Sequence, residues 1–222
     1  MTISALEIRN LTINREGRVL ISGFSLKVPA GEIFTLMGAS GSGKSTILNW
    51  IIGALDPVFS VHGELWLNGT RKDLQPIEAR RIGILFQDDL LFAHLTVAEN
   101  LMFGMPAHLG EMAARRARAL EALAEVGLEG QADKLPGQLS GGQKARVSLL
   151  RALLAEPEAL LLDEPFSRLD KPLRAAFRTL VFERLKTLGI PALLVTHDEE
   201  DAPGAILTLT TPCLTKEDTD LV

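Results

Sequence analysis

The chain has 222 residues, 46% hydrophobic and 23% charged, with a formal net charge of −5. That composition excludes a disordered chain, because it carries enough apolar material for a sizeable core, and it gives no global basic field to recommend nucleic acid as a partner. The single cysteine, Cys213, excludes an internal disulfide and reads as an incidental small apolar residue.

Met1 to Asn10 lacks the basic-then-apolar layout of a signal peptide. No run approaches the ~20 apolar residues of a bilayer span. The chain is therefore not expected to cross a membrane by itself, although it can sit on one through a membrane partner.

In chain order, Ala5 to Ile13 alternates apolar and polar residues and predicts an edge-type strand. Phe24 to Val28 predicts a second alternating strand, closed by the Pro29-Ala30-Gly31 turn. Ile33 to Met37 is a continuous apolar run that enters a glycine-rich loop, as a buried parallel strand does. Thr46 to Ala54 predicts a helix, and Gly63 to Gly69 a strand ending in an Asn-Gly turn. Ile82 to Phe86 is another buried strand. From Thr96 to Ala155 the pattern is helical, with Glu111 to Val126 rich in helix formers. Thr96 and Glu99 have the spacing of a capping box. Strands return at Ala159 to Asp163 and at Ala192 to Val195, around a helix at Pro172 to Leu188 with Asp170 as its N-cap.

Strands alternating with helices predict an α/β fold with a mostly parallel sheet covered on both faces. The alternating strands give it an antiparallel β edge, and an α-helical subdomain is inserted. We expect one domain over residues 1–222. Its catalytic core covers 1–87 and 156–210, its helical subdomain about 88–155, and a peripheral tail 211–222.

Gly38-Ala39-Ser40-Gly41-Ser42-Gly43-Lys44-Ser45-Thr46 matches the phosphate-loop pattern G-x-x-x-x-G-K-[ST]. Glycines let the backbone curl until successive N–H groups point at phosphates, and the helix that follows adds its positive end. Lys44 can reach the β- and γ-phosphates, and Ser45 can offer its hydroxyl to Mg²⁺. The strand before and the helix after make this a P-loop NTPase arrangement. Ala159 to Asp163 ends in a second chemical feature, Asp163-Glu164. Ligands of a parallel α/β sheet bind beyond the carboxyl ends of its strands. Asp163 is thereby placed to hold Mg²⁺, and Glu164 to polarise an attacking water as general base.

With Leu139-Ser140-Gly141-Gly142-Gln143 added, the chain resembles the ATP-binding cassette family, whose signature motif has this form. Gln87 matches the family's Q-loop glutamine and a further Mg²⁺ ligand. Ser167-Arg168-Leu169-Asp170 resembles its D-loop, and His197 its switch histidine. The resemblance runs from about Ala5 to Leu209 with the six motifs in the family's order. It implies an ATPase that uses ATP and Mg²⁺, with Glu164, His197, Gln87 and Lys44 as catalytic residues. It also implies a head-to-tail dimer, in which Ser140, Gly141, Gly142 and Gln143 of one copy complete the ATP site of the other.

Leu91 to Asn100 and His197 to Ala202 resemble the corresponding segments of bacterial solute importers. This implies an ATP-hydrolysing subunit on the cytoplasmic face of the inner membrane, peripherally bound to integral membrane permease subunits. An extracytoplasmic solute-binding protein belongs to such systems, and nucleic acid does not. The alternative is a cassette ATPase of translation, DNA repair or cluster assembly, but no fused second cassette or coiled-coil insertion supports it. Met102, Phe103 and Met105 are candidates either for the groove that receives the permease or for core.

Two departures from the family are visible. Relatives stack adenine on an aromatic residue ahead of the phosphate loop, where this chain has Ile13-Asn14-Arg15-Glu16-Gly17 and no tyrosine anywhere. Arg15 can stack by its guanidinium plane instead. Many sulfate- and polyamine-type importers also carry a C-terminal β-rich regulatory domain. Control by such a domain is not expected in a sequence that runs to Val222.

Overall fold

The structure is a computed structural model that describes residues 5–209. Cys213 and the tail expected at 211–222 lie outside the described residues. The backbone divides into two compact units. The first comprises 5–82, 158–164 and 182–209, and the second comprises 83–157 and 165–181.

The chain opens with β1 (Ala5–Arg15) and β2 (Arg18–Pro29), then β3 (Ile33–Gly38), α1 (Lys44–Ile52), β4 (Phe59–Leu67), β5 (Thr70–Arg71) and the short α2 (Ile77–Arg80). β6 (Ile82–Leu85) carries it into the second unit, which holds α3 (Val97–Phe103), α4 (Met112–Ala124) and α5 (Gly141–Leu154). The chain returns through β7 (Ala159–Asp163), α6 (Lys171–Leu188), β8 (Ala192–Val195) and β9 (Ile206–Leu209).

In the first unit the antiparallel strands form their own sheet, in the order β2-β1-β4-β5. β1 is therefore an interior strand, where alternation alone suggested an edge, because both β2 and β4 pair with it. Its apolar positions change parity along the way: Leu6 and Ile8 are buried, then Leu11 and Ile13. A bulge makes this possible. One extra residue of β1 is inserted between the pairs Arg9↔Glu64 and Thr12↔His62, with Asn10 at φ 50°. Without it, a period of two would turn Leu11 and Ile13 out of the core.

β1 also runs two residues past its predicted end, and β2 begins six residues before Phe24. Glu16 and Gly17, at φ 50° and 78°, make the two-residue turn that lets Arg15 pair with Arg18. β4 likewise begins at Phe59, ahead of the predicted Gly63, because β1 offers partners as far as Arg15.

The other sheet of this unit is parallel, β3 lying between β8 and β9, with β7 beside β8. Leu160, Leu161, Leu162, Leu193 and Leu194 are fully buried, which is why these strands read as unbroken apolar runs. Arg80 fastens α1 from behind. Its guanidinium donates to the carbonyls of Trp50 and Ile51 at 2.7 and 2.8 Å, adding side-chain donors at the helix end beside the Gly53 N–H, which also reaches Trp50.

The second unit is a helical body whose core joins Val97 and Leu101 of α3, Ala119 and Leu123 of α4, and Val147 and Leu150 of α5. The Thr96 and Glu99 capping box forms as the spacing predicts. Met102 and Met105 belong to this core, while Phe103 is 66% exposed and packs its ring 4.6 Å from that of Phe92. Among the described residues no helix is long and apolar enough to cross a membrane.

Candidate functional site

The carboxyl ends of three neighbouring strands converge in the first unit. Register pairs Leu36 of β3 with Val195 of β8, and Val195 in turn with Asp163 of β7. The loop after β3, the acidic end of β7 and the residues after β8 therefore emerge side by side. Together they bound a cleft of about 450 Å³ lined by Gly38, Ser40, Gly41, Gly43, Lys44, Ser45 and Thr46, and by Glu164 and His197.

The phosphate loop has the curl its sequence predicts. Gly43 sits at φ 97°, so the backbone demands glycine, and a Cβ there would also meet the end of the Ile21 side chain of β2 at 2.8 Å. Gly43 is also the N-cap of α1 and has no side chain to accept from the first-turn N–H groups, which suits an anion. The helix begins at Lys44, two residues ahead of the predicted Thr46. Lys44 is 9% exposed, and its ammonium donates to the carbonyls of Gly38 and Ala39 at 2.7 and 2.9 Å.

Asp163 is half-buried at the end of β7. Burial, and then the neighbouring Glu164 charge, push its carboxyl above the usual aspartate range, and Lys44 pulls the other way. Glu164 has φ 47°, a costly backbone conformation for a residue with a Cβ. Its N–H is held by the Val195 carbonyl at 2.9 Å. Its carboxylate lies 3.2 Å from Nδ1 of His197. The turn that presents His197 is tied down in its own right. The buried Thr196 hydroxyl donates to Asp201 at 3.2 Å and accepts the Asp198 N–H at 3.1 Å.

The remaining residues singled out from the sequence lie in the second unit. Gln87 is exposed just beyond β6, beside an Asp88 carboxylate that pairs with Arg168. The stretch after it is tethered to α5. Ser148 donates to the Asp89 carbonyl at 2.9 Å, and Arg151 to the carbonyls of Leu90 and Asp89 at 2.9 and 3.3 Å. Ser140 caps α5 through a box with Gln143, so in the fold this motif is a helix start. Gly142 packs so tightly on Leu173 of α6 that a Cβ would lie 2.3 Å from it. Asp170 accepts the Leu173 N–H at 3.1 Å and caps α6, as expected.

The cleft has two further walls that sequence reasoning left open or missed. Arg15 and Leu20 line it, and so does Phe59, which no local pattern singled out. The Arg15 guanidinium lies 5.9 Å from the centre of the Phe59 ring.

A glycine-rich loop between a buried strand and an uncapped helix, beside a strand that ends in two carboxylates, defines a nucleoside-triphosphate hydrolase of the P-loop class. The family model for the ABC transporter matches residues 21–167. The chain is 52% identical to the uncharacterized ABC transporter ATP-binding protein YnjD of Escherichia coli K12, across 89% of this chain and 90% of that one. It is 39% identical to the Fe(3+) ions import ATP-binding protein FbpC of the same organism, covering 89% of this chain but 56% of the relative. Among solved structures it resembles the ATP-binding cassette MJ0796, a dimer in a post-hydrolysis state with ADP and Pi. The TM-score is 0.79 at 31% identity, over 94% of this chain and 96% of that one. The chain belongs to the ABC transporter family, and it is an ATPase subunit of an ATP-powered transporter.

Proposed function

We propose that this chain drives import of a solute through a separate integral membrane permease, from the cytoplasmic face of the inner membrane and paired head-to-tail with a second copy of itself. The observation that carries the chemical part is the convergence of Lys44, Glu164 and His197 on one cleft with the phosphate loop, with Asp163 next to Glu164 and within the electrostatic reach of Lys44. Import is supported by the segments 91–100 and 197–202, which resemble those of solute importers, and by an import protein among the relatives.

In the reaction, Glu164 accepts a proton from water while the water oxygen bonds to the γ-phosphorus. The bond from that phosphorus to the bridging oxygen breaks, and ADP and inorganic phosphate leave. General-base assistance of this kind accelerates such a step roughly 10²–10⁴-fold. His197 orients the Glu164 carboxylate. Lys44 leaves its loop carbonyls to hold the β- and γ-phosphates, and the N–H groups of Ser40 to Thr46 surround them. Gln87 is assigned its part on its motif position alone. Ser140, Gly141, Gly142 and Gln143 complete the partner copy's site, and Asp170 belongs to the same contact.

The donor set fits Mg²⁺ brought in with the nucleotide. Mg²⁺ keeps several waters and takes only one or two protein carboxylates beside substrate phosphates, which matches a single half-buried aspartate next to the phosphate loop. The half-buried Asp163, whose burial disfavours its charge, is a carboxylate that a cation relieves. Ser45 and Asp163 would hold the ion, with Gln87 added on its motif position alone, and the ion would supply charge neutralisation to the phosphates.

The test is an affinity pull-down of tagged Glu164→Gln from its native host with ATP present. A multi-span permease, together with a solute-binding protein, is the expected yield. Recovery of ribosomal or repair components alone would turn the reading toward a cassette ATPase outside transport.

A further inference from the structure

We propose that Arg15 and Phe59 form a two-layer platform for the nucleotide base, with Phe59 supporting one face of the guanidinium and the base lying on the other. The proposal rests on the reading of the cleft as the ATP site. Three observations point to it. Both residues line the cleft that contains the phosphate loop. They are direct cross-strand partners, the last residue of β1 against the first of β4. The guanidinium carbon stands 5.9 Å from the ring centre, within reach of a cation–π contact.

The chemistry suits a base. A guanidinium is planar, delocalised and weakly hydrated, so it stacks on flat π-systems where an ammonium does not. A long side chain at a strand end would otherwise lose rotamer freedom on binding. The ring of Phe59 restrains it beforehand and lowers that cost. Phe59 is thus a positioning residue that acts through Arg15. Phe59 is the sole Phe, Trp or Tyr among the residues that line the cleft, and the chain has no tyrosine at all.

Stacking reads the π-face and not the hydrogen-bonding edge, so it tolerates different bases. The platform therefore makes the chain a nucleoside-triphosphate site with weak discrimination between bases. ATP and GTP bind within roughly tenfold of each other, where edge-reading contacts give larger ratios.

Calorimetric titration of the chain with ATP, GTP and inorganic tripolyphosphate tests this. Arg15→Ala is expected to weaken ATP roughly tenfold, in line with the loss of one base stack, and to leave tripolyphosphate unchanged. Arg15→Tyr restores a flat surface and the affinity, while Arg15→Lys, a point charge, does not. Phe59→Ala weakens ATP in the native background and has no further effect in Arg15→Ala. Undiminished ATP affinity in Arg15→Ala, or more than about a hundredfold preference for ATP over GTP, overturns the platform. Lys44→Ala separates this from the underlying reading, since it should weaken ATP and tripolyphosphate alike. If Lys44→Ala leaves both untouched, the assignment of the cleft itself fails.

Discussion

The Glu164 carboxylate and Nδ1 of His197 are 3.2 Å apart although they follow different strands, because parallel pairing sets Asp163 beside Val195. The contact is a product of register, and one residue of slip between β7 and β8 would destroy it. Glu164→Gln keeps the shape and the hydrogen-bonding oxygen but removes the base. ATP binding should persist while phosphate release falls roughly 10²–10⁴-fold. Phosphate release measured beside equilibrium ATP binding checks this, and turnover at the parental rate would refute the general-base role.

Lys44 is a structural cation in the nucleotide-free chain. Its ammonium donates to two loop carbonyls, and hydrogen bonds to charged groups contribute about 1.5–3 kcal/mol each. Lys44→Met should therefore lower the melting temperature of the nucleotide-free chain by several degrees. It should also abolish the rise that ATP produces in the parent. Thermal melts with and without ATP decide it. An unchanged nucleotide-free melt would mean that these hydrogen bonds contribute nothing.

Asp163 should cost stability when no nucleotide is bound. Its carboxyl titrates above the ordinary aspartate value, through burial first and the Glu164 charge second. The folded state then holds the proton more tightly than the unfolded state. Stability from this group is therefore greatest below the ordinary aspartate range and is lost as pH rises through the raised value. Asp163→Asn should melt a few degrees higher than the parent at neutral pH, with the gap closing in acid. A gap that is independent of pH, or of opposite sign, would contradict this reading.

Gly142 is confined by Leu173, whose side chain would meet an added Cβ at 2.3 to 2.9 Å. Gly142→Ala forces Leu173 to move, and overpacking of this kind costs about 1–3 kcal/mol. The double variant Gly142→Ala/Leu173→Ala should recover part of that loss, because the clash is gone. Denaturant unfolding of the two variants and the parent measures the coupling. Simple additivity would show that the contact is not the cause.

What the sequence revealed and what it hid follow one physical division. The phosphate loop, the Asp163-Glu164 strand end, the Thr96 box and the Asp170 cap are set by residues a few positions apart, and each was legible. The parallel strands were legible too, since burial on both faces leaves Leu160 to Leu162 without a polar interruption. β1 was recognised as a strand but not as an interior one, because its neighbours are chosen by distant segments. The early start of β2 depends on a Glu16-Gly17 turn whose first residue is an unremarkable glutamate. The four-residue β9 has an exposed Ile206 and too little pattern to stand out. Phe59 escaped for the same reason as the bulge near Asn10. Its partner, Arg15, is fixed by register across β1 and β4, and that register exists only once the sheet has formed. Met102 and Met105 were ambiguous as types, and the packing of α3 against α4 and α5 placed them inside.

The tether between α5 and the stretch after Gln87 has a mechanical consequence. Ser148 and Arg151 hold the carbonyls of Asp89 and Leu90 to the helix whose first turn begins at Ser140. An exposed loop normally absorbs a push by flexing. Here flexing means rupturing side-chain bonds to a packed helix, two of them from the Arg151 guanidinium, whose burial weakens its own hold on the proton. Displacing Asp89 or Leu90 therefore strains bonds anchored about two and three turns along the helix that Ser140 caps.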